Sequence, residues 1–154
     1  MSESPSILIV EGRFYEDIGD DLYKGAVAVL DKAELVHERL AVPGAFEVPQ
    51  AIRFAIRSME IGSAMNRYSG FVALGCVIRG ETSHYDYVCE ESARALMDLT
   101  MDYSIALGYG ILTCENQEQA RYRSDPEQGD KGGVAAKACM RMMEVKKELR
   151  LVPR

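Results

Sequence analysis

Four short apolar segments, each followed by a stretch with helical spacing, constrain this chain more than any other feature. Ile7-Leu8-Ile9-Val10 is fully apolar and rich in β-branched residues, which suits a parallel strand buried on both faces. Residues 11–15 end it, and Ile18, Leu22, Ala26, Val29 and Ala33 then recur at helical spacing. A second strand is predicted over residues 35–42, broken by Pro43-Gly44. Pro49 suits the first turn of a helix with Ile52, Ala55, Ile56 and Met59 on one face, ending near Gly62. The third strand is the apolar run 71–78, and its helix aligns Val88, Ser92, Leu96, Leu99 and Tyr103. A fourth strand, 109–114, leads to a short helix over 117–122 and a turn over 124–133. The last helix sets Val134, Ala138, Met142, Val145 and Leu149 on its apolar face.

Such alternation means a parallel sheet with right-handed crossovers. The expected fold is an α/β three-layer sandwich, a four-stranded parallel, flavodoxin-like sheet flanked by helices. At 154 residues, one domain over 1–154 is expected. A sheet this small leaves some apolar helix surface for burial between subunits.

The net charge of −6 argues against nucleic acid and acidic membranes as partners. No apolar run approaches the length of a membrane span. The opening MSESPS has neither a basic nor an apolar signal region, so a cytoplasmic location is expected. Cys76, Cys89, Cys114 and Cys139 form no CxxC pair and read as reduced, mostly buried thiols rather than a metal site.

The residues that could carry chemistry follow the strand ends. In an open parallel sheet those loops share one edge, where ligands bind. Phe14 follows the first strand, Ala45-Phe46-Glu47 the second, Glu81-Thr82-Ser83-His84 the third and Cys114-Glu115-Asn116 the fourth. Phe14 and Phe46 could stack on a flat heterocycle, or fold back onto the core. Glu47 could accept hydrogen bonds from a polyol or an amine, or be solvated. Arg79-Gly80 stops the third strand abruptly, and the helix that follows offers unpaired N–H groups to an anion. His84 brings an imidazole, the side-chain type that serves most often as a proton carrier, so the loop could hold a phosphate and move a proton. A capped helix with a surface histidine explains the same loop equally well. Tyr85 and Tyr87 read as packing residues, and His37 as exposed. Neither a complete GxGxxG nor a Walker-type loop occurs.

Taken together, VPGAFEVP (42–49), LGCVIRGETSHYDYV (74–88), GILTCENQEQA (110–120), an N-terminal GRF and DKGG before the last helix closely resemble lumazine synthase. The resemblance covers nearly the whole chain. It implies a transferase that joins 5-amino-6-ribitylaminouracil to 3,4-dihydroxy-2-butanone 4-phosphate in riboflavin biosynthesis, without metal or organic cofactor. It sets Phe14 against the pyrimidine, with Ala45, Phe46, Glu47, Cys76, Val77 and Ile78 around the pyrimidine and its ribityl chain. Glu81 and Thr82 would cradle the phosphate, and His84 would transfer protons. Arg123 and Tyr109 would come from the neighbouring subunit, with Lys131 nearby.

The resemblance also implies homo-oligomers, pentamers with sites between adjacent subunits that in some members assemble into decamers or hollow sixty-subunit shells, and riboflavin synthase as a partner. The chain departs from the family pattern in two places. Cys76 stands where a threonine is common, and Leu107-Gly108-Tyr109-Gly110 replaces a Pro-Val-x-Phe-Gly pattern. Two other classes fit the fold: a non-catalytic lumazine- or flavin-binding paralogue, and a flavodoxin-like interaction module. Formation of lumazine from the two substrates separates both from the enzyme.

Overall fold

A computed structural model describes residues 6–151; the opening segment read above for a signal lies outside them up to residue 5. Strand β1 (Ser6–Gly12) lies between β2 (Val36–Val42) and β3 (Gly70–Ile78), and β4 (Leu107–Cys114) pairs with β3. All three pairings are parallel, in the order β2-β1-β3-β4. Helices α1 (Glu16–Lys32), α4 (Gln117–Ser124) and α5 (Lys131–Glu148) cover one face. Helices α2 (Val48–Glu60) and α3 (His84–Tyr103) cover the other.

Period-two alternation decides which side each residue serves. Ile7, Ile9, Val72, Leu74 and Cys76 point to the α1–α5 side, while Leu8, Val10, Phe71 and Ala73 point to the α2–α3 side. Each large apolar side chain fully buried this way is worth about 1.5–3 kcal/mol. Edge strand β2 is covered much less, so its mixed polar sequence suits it. The chain leaves β1 toward β2 on one side and returns to β3 on the other. The carboxyl ends of β1 and β3 therefore flank a topological switch point, the crevice where open α/β sheets bind ligands. No helix among the described residues is long and apolar enough to cross a membrane.

Several local expectations need correction. Glu11 and Gly12 continue β1 instead of ending it. On α1 the buried face runs through Leu30, and Ala33 is an exposed cap. Tyr87 is exposed, and the His37 ring is half-buried, 2.8 Å from Asp31 Oδ1.

The largest correction concerns α5. It starts at Lys131, because Asp130 adopts a left-handed conformation and its side chain accepts the Gly133 N–H at 3.2 Å. Gly132 and Gly133 are therefore helical, not part of the preceding turn. Its buried residues are Gly132, Gly133, Ala135, Ala136 and Cys139, and Val134, Met142 and Leu149 face outward. The reason is steric. A Cβ on Gly108 would lie 1.8 Å from the Ala135 carbonyl oxygen, and one on Gly132 would lie 2.0 Å from that of Leu22. Helix α5 lies directly against β4 and α1, and only small residues allow that approach.

Gly108→Ala should lower unfolding stability by about 3 kcal/mol, the upper end of ordinary overpacking. Gly80→Ala, with nothing within 4 Å of the added carbon, should change it by less than about 0.5 kcal/mol. Urea unfolding of both variants checks this, and equal midpoints would show that the α5–β4 contact tolerates a methyl group.

Candidate active site

The crevice at the switch point holds a cavity of about 470 Å³. Three loops build it. The β1–α1 loop supplies Phe14 and Tyr15, and the β2–α2 connection supplies Pro43, Gly44, Ala45, Phe46 and Glu47. The end of β3 and the start of α3 supply Cys76, Val77, Ile78, Gly80, Thr82, His84, Tyr85 and Val88.

The first two loops are locked together by backbone contact. The Arg13 N–H donates to the Val42 carbonyl at 3.0 Å, and a Cβ on Gly12 would meet the Gly44 carbonyl carbon at 2.5 Å. Phe14 then projects outward, 73% exposed, with its ring edge-on to Tyr15 at 4.9 Å. Phe46, on the 3-10 turn Ala45–Glu47, is 59% exposed. Neither ring is folded into the core, and both line the cavity. Ala45 is buried against Gly75 and forms part of the floor.

The third loop delivers polar groups. The His84 N–H donates to Thr82 Oγ1 at 3.3 Å, and the Ser83 side chain makes no capping bond. Among the first N–H groups of α3, those without such a partner remain available to an anion. Arg79 binds this loop to its neighbour. Its guanidinium donates to both Glu115 oxygens, at 2.7 and 3.4 Å, reaches Asp86 at 3.3 Å and lies over the Tyr85 ring at 4.3 Å. These contacts, the Glu115 hydrogen bond first, hold the Arg79 pKa above its ordinary value.

Nine of the residues singled out from the sequence line one cavity: Phe14, Ala45, Phe46, Glu47, Cys76, Val77, Ile78, Thr82 and His84. Glu81 sits on the same loop but outside the lining, and the β4–α4 loop does not reach the cavity. Tyr109 lies within β4, Arg123 is exposed on α4 and Lys131 stands at the start of α5, and none of the three lines this chain's own cavity. Among the described residues, no group of three His, Cys, Asp or Glu side chains is placed to hold a metal ion.

Sequence reasoning missed the charge cluster beneath Phe14. Glu11 is 1% exposed at the end of β1, and Arg13 and Arg39 both donate to it. Arg13 also bonds Asp20, the chief reason its pKa is raised, and Arg39 lies over the Tyr23 ring at 3.7 Å. A carboxylate inside an otherwise apolar strand was the available signal, since such a charge needs partners.

Comparison with known proteins decides the family. The sequence model of 6,7-dimethyl-8-ribityllumazine synthase matches residues 4–147. A protein of that name from Paramagnetospirillum magneticum is 51% identical over 145 residues, covering 94% of this chain and 97% of the relative. The Rhizobium meliloti 6,7-dimethyl-8-ribityllumazine synthase 1 is 54% identical, over 93% of this chain and 92% of its own. The Bartonella tribocorum 6,7-dimethyl-8-ribityllumazine synthase is 51% identical, over 96% of this chain and 93% of its own. The chain belongs to the 6,7-dimethyl-8-ribityllumazine synthase family. The matched residues include every strand and every residue that lines the cavity.

Within this lumazine synthase fold the cavity thiol is an inert one. Burial pushes the Cys76 thiol up to about 12, with Cys114 the next contributor, and burial does the same to Cys139. Both groups stay protonated from neutral pH up to about their raised values, so neither is a ready nucleophile. Cys89 is partly exposed, though burial raises its pKa too. Alkylation of the native protein with iodoacetamide near pH 8, followed by mass spectrometry, should label Cys89 first. Cys76 and Cys139 should react only after unfolding; prompt labelling of Cys76 would mean that the floor of the cavity is open.

Proposed function

We infer that this chain condenses 5-amino-6-(D-ribitylamino)uracil with 3,4-dihydroxy-2-butanone 4-phosphate to form 6,7-dimethyl-8-ribityllumazine, the penultimate step of riboflavin biosynthesis. The observation that carries this reading is one cavity with two unlike halves, in a chain of this family. Exposed aromatic rings stand at one side, and a helix start with His84 stands at the other.

Phe14 stacks on the pyrimidine, and Ala45, Phe46, Glu47, Cys76, Val77 and Ile78 hold the ring and the ribityl chain. Glu81, Thr82 and the α3 N-terminus receive the phosphate. The aromatic amine attacks the ketone, and loss of water gives an imine. A proton is removed from carbon as phosphate departs, then tautomerisation and ring closure with loss of a second water complete the lumazine. Holding two reactive partners together supplies much of the acceleration, about 7–11 kcal/mol in favourable cases. His84 moves the protons. The steps are polar and transfer no electrons to a carrier, so no cofactor enters the scheme.

The single domain over 1–154 works in this reading as a cytoplasmic homo-oligomer, most simply a pentamer, and passes its product to riboflavin synthase. Arg123, Tyr109 and Lys131 complete the site of the neighbouring subunit. That none of them lines their own chain's cavity supports this arrangement.

Mixing the two substrates with the protein and following lumazine absorbance tests the reaction; no product above the uncatalysed rate would leave a binding paralogue. His84→Ala should lower kcat by about 10²–10⁴-fold with little change in pyrimidine affinity. Shared sites are tested with Phe14→Asp and Arg123→Ala, each inactive, unfolded and reassembled together in equal amounts. Random mixing in a closed ring makes about a quarter of the sites fully wild type, and activity should return to that fraction. Mixed oligomers as inactive as their parents would place Phe14 and Arg123 in the same chain's site.

A further inference from the structure

Phe14 is the ring that meets the heterocycle in the reading above, yet little holds it directly. It is mostly exposed, and its recorded ring contact is the edge-on one with Tyr15. Tyr15 itself packs against the core on the α1–α5 side of the sheet. A ring so placed stacks well only if the backbone beneath it is fixed in advance, because ordering it at the moment of binding costs affinity.

A buried carboxylate fixes that backbone. Alternation along β1 puts position 11 in the row of Ile7 and Ile9, where an apolar residue is expected. Glu11 stands there instead, fully buried. Its Oε1 accepts from Arg13 at 2.9 Å and from Arg39 at 3.2 Å, and its Oε2 accepts from Arg39 Nε. Arg13 continues to Asp20 on α1 at 2.5 Å and to the Glu16 carbonyl at 3.3 Å. Arg39 comes from β2 and rests on the ring of Tyr23, also on α1. One carboxylate therefore joins the ends of β1 and β2 to α1. Strand β1 leads into Phe14, and β2 leads through Pro43-Gly44 into the turn that carries Phe46. A shift of either strand end changes the gap between the two rings.

Stability alone does not call for this charge. Packed apolar residues in place of a buried ion pair are often neutral or stabilising. What the carboxylate adds is direction, because each arginine fork donates to it along fixed lines.

We propose that Glu11, held between Arg13 and Arg39, is a positioning residue that sets Phe14 against Phe46 for the pyrimidine substrate. This rests on the reaction inferred above and assigns Glu11 to one half of it. The other half of the cavity, at the start of α3, is tied separately by Arg79 to Glu115.

The test is a double-mutant cycle on the full chain, read as affinity for 6,7-dimethyl-8-ribityllumazine by calorimetry. Glu11→Ala and Arg39→Ala should each weaken binding about three- to tenfold, the worth of a misaligned aromatic stack. In a Phe14→Ala protein the same substitutions should change affinity by less than about twofold, because the ring through which they act is gone. In turnover, KM for the pyrimidine should rise by the factor seen in binding, while kcat and KM for the phosphorylated ketone keep their wild-type values. Arg39→Ala leaves Glu11 paired with Arg13, so it carries the cycle where Glu11→Ala fails to fold. Unchanged lumazine affinity in Arg39→Ala overturns the proposal. So do losses that are equally large with and without Phe14, or a fall in kcat with KM unmoved. Wild-type protein that neither binds nor forms the lumazine overturns the reaction and the proposal with it. Additive losses in a wild type that does both overturn the positioning role alone.

Discussion

A parallel sheet only four strands wide must bury both faces of its two central strands, and that constraint organises the molecule. Strands β1 and β3 are apolar on both sides because α1 and α5 cover one face and α2 and α3 the other. The same arrangement makes the chain reverse its winding direction between them. The carboxyl ends of β1 and β3 are left uncovered at that reversal, and the cavity lies there. Position of the site is thus a consequence of covering the sheet, before any catalytic residue is considered.

Two charge clusters hold the cavity walls. Under Phe14, the buried Glu11 carboxylate is matched by Arg13 and Arg39, so the β1–α1 loop is anchored just before its exposed aromatic ring. Breaking such a buried pair typically costs about 3–5 kcal/mol, because the remaining charge is stranded. At the opposite wall, Arg79 ties the loop before His84 to Glu115 on the next strand's loop. This second cluster is exposed, and its individual pairs contribute little energy. Its effect is geometric: it limits how far the start of α3 can swing from β4. An aromatic wall fixed by a buried charge and a polar wall held by a surface clamp suit two substrates of unlike chemistry.

The surface outside the cavity reads differently. Aromatic and aliphatic side chains stand exposed on α2, α3 and α5, including Phe54, Met97, Met101 and Met142. In the proposed oligomer these side chains are available to neighbouring subunits.

The sequence by itself determined the four strands, the order of the helices, the loop edge and the lumazine synthase family. Those features rest on local properties: runs of β-branched residues, proline and glycine breaks, helical spacing and contiguous motifs. Phe14, the 45–47 turn and the 76–84 segment were legible because each lies beside a strand end. Tertiary structure alone decided three other matters. It chose the buried face of α5, since the close approach of Ala135 to Gly108 selects small residues over large ones and reverses the ranking by hydrophobicity. It brought Arg39 across twenty-eight residues to Glu11, a pairing that depends on strand register. It also left Tyr109, Arg123 and Lys131 out of the lining of their own chain's cavity. Linear spacing records which side chains a helix aligns, but the distance between packed backbones decides which of them can face inward.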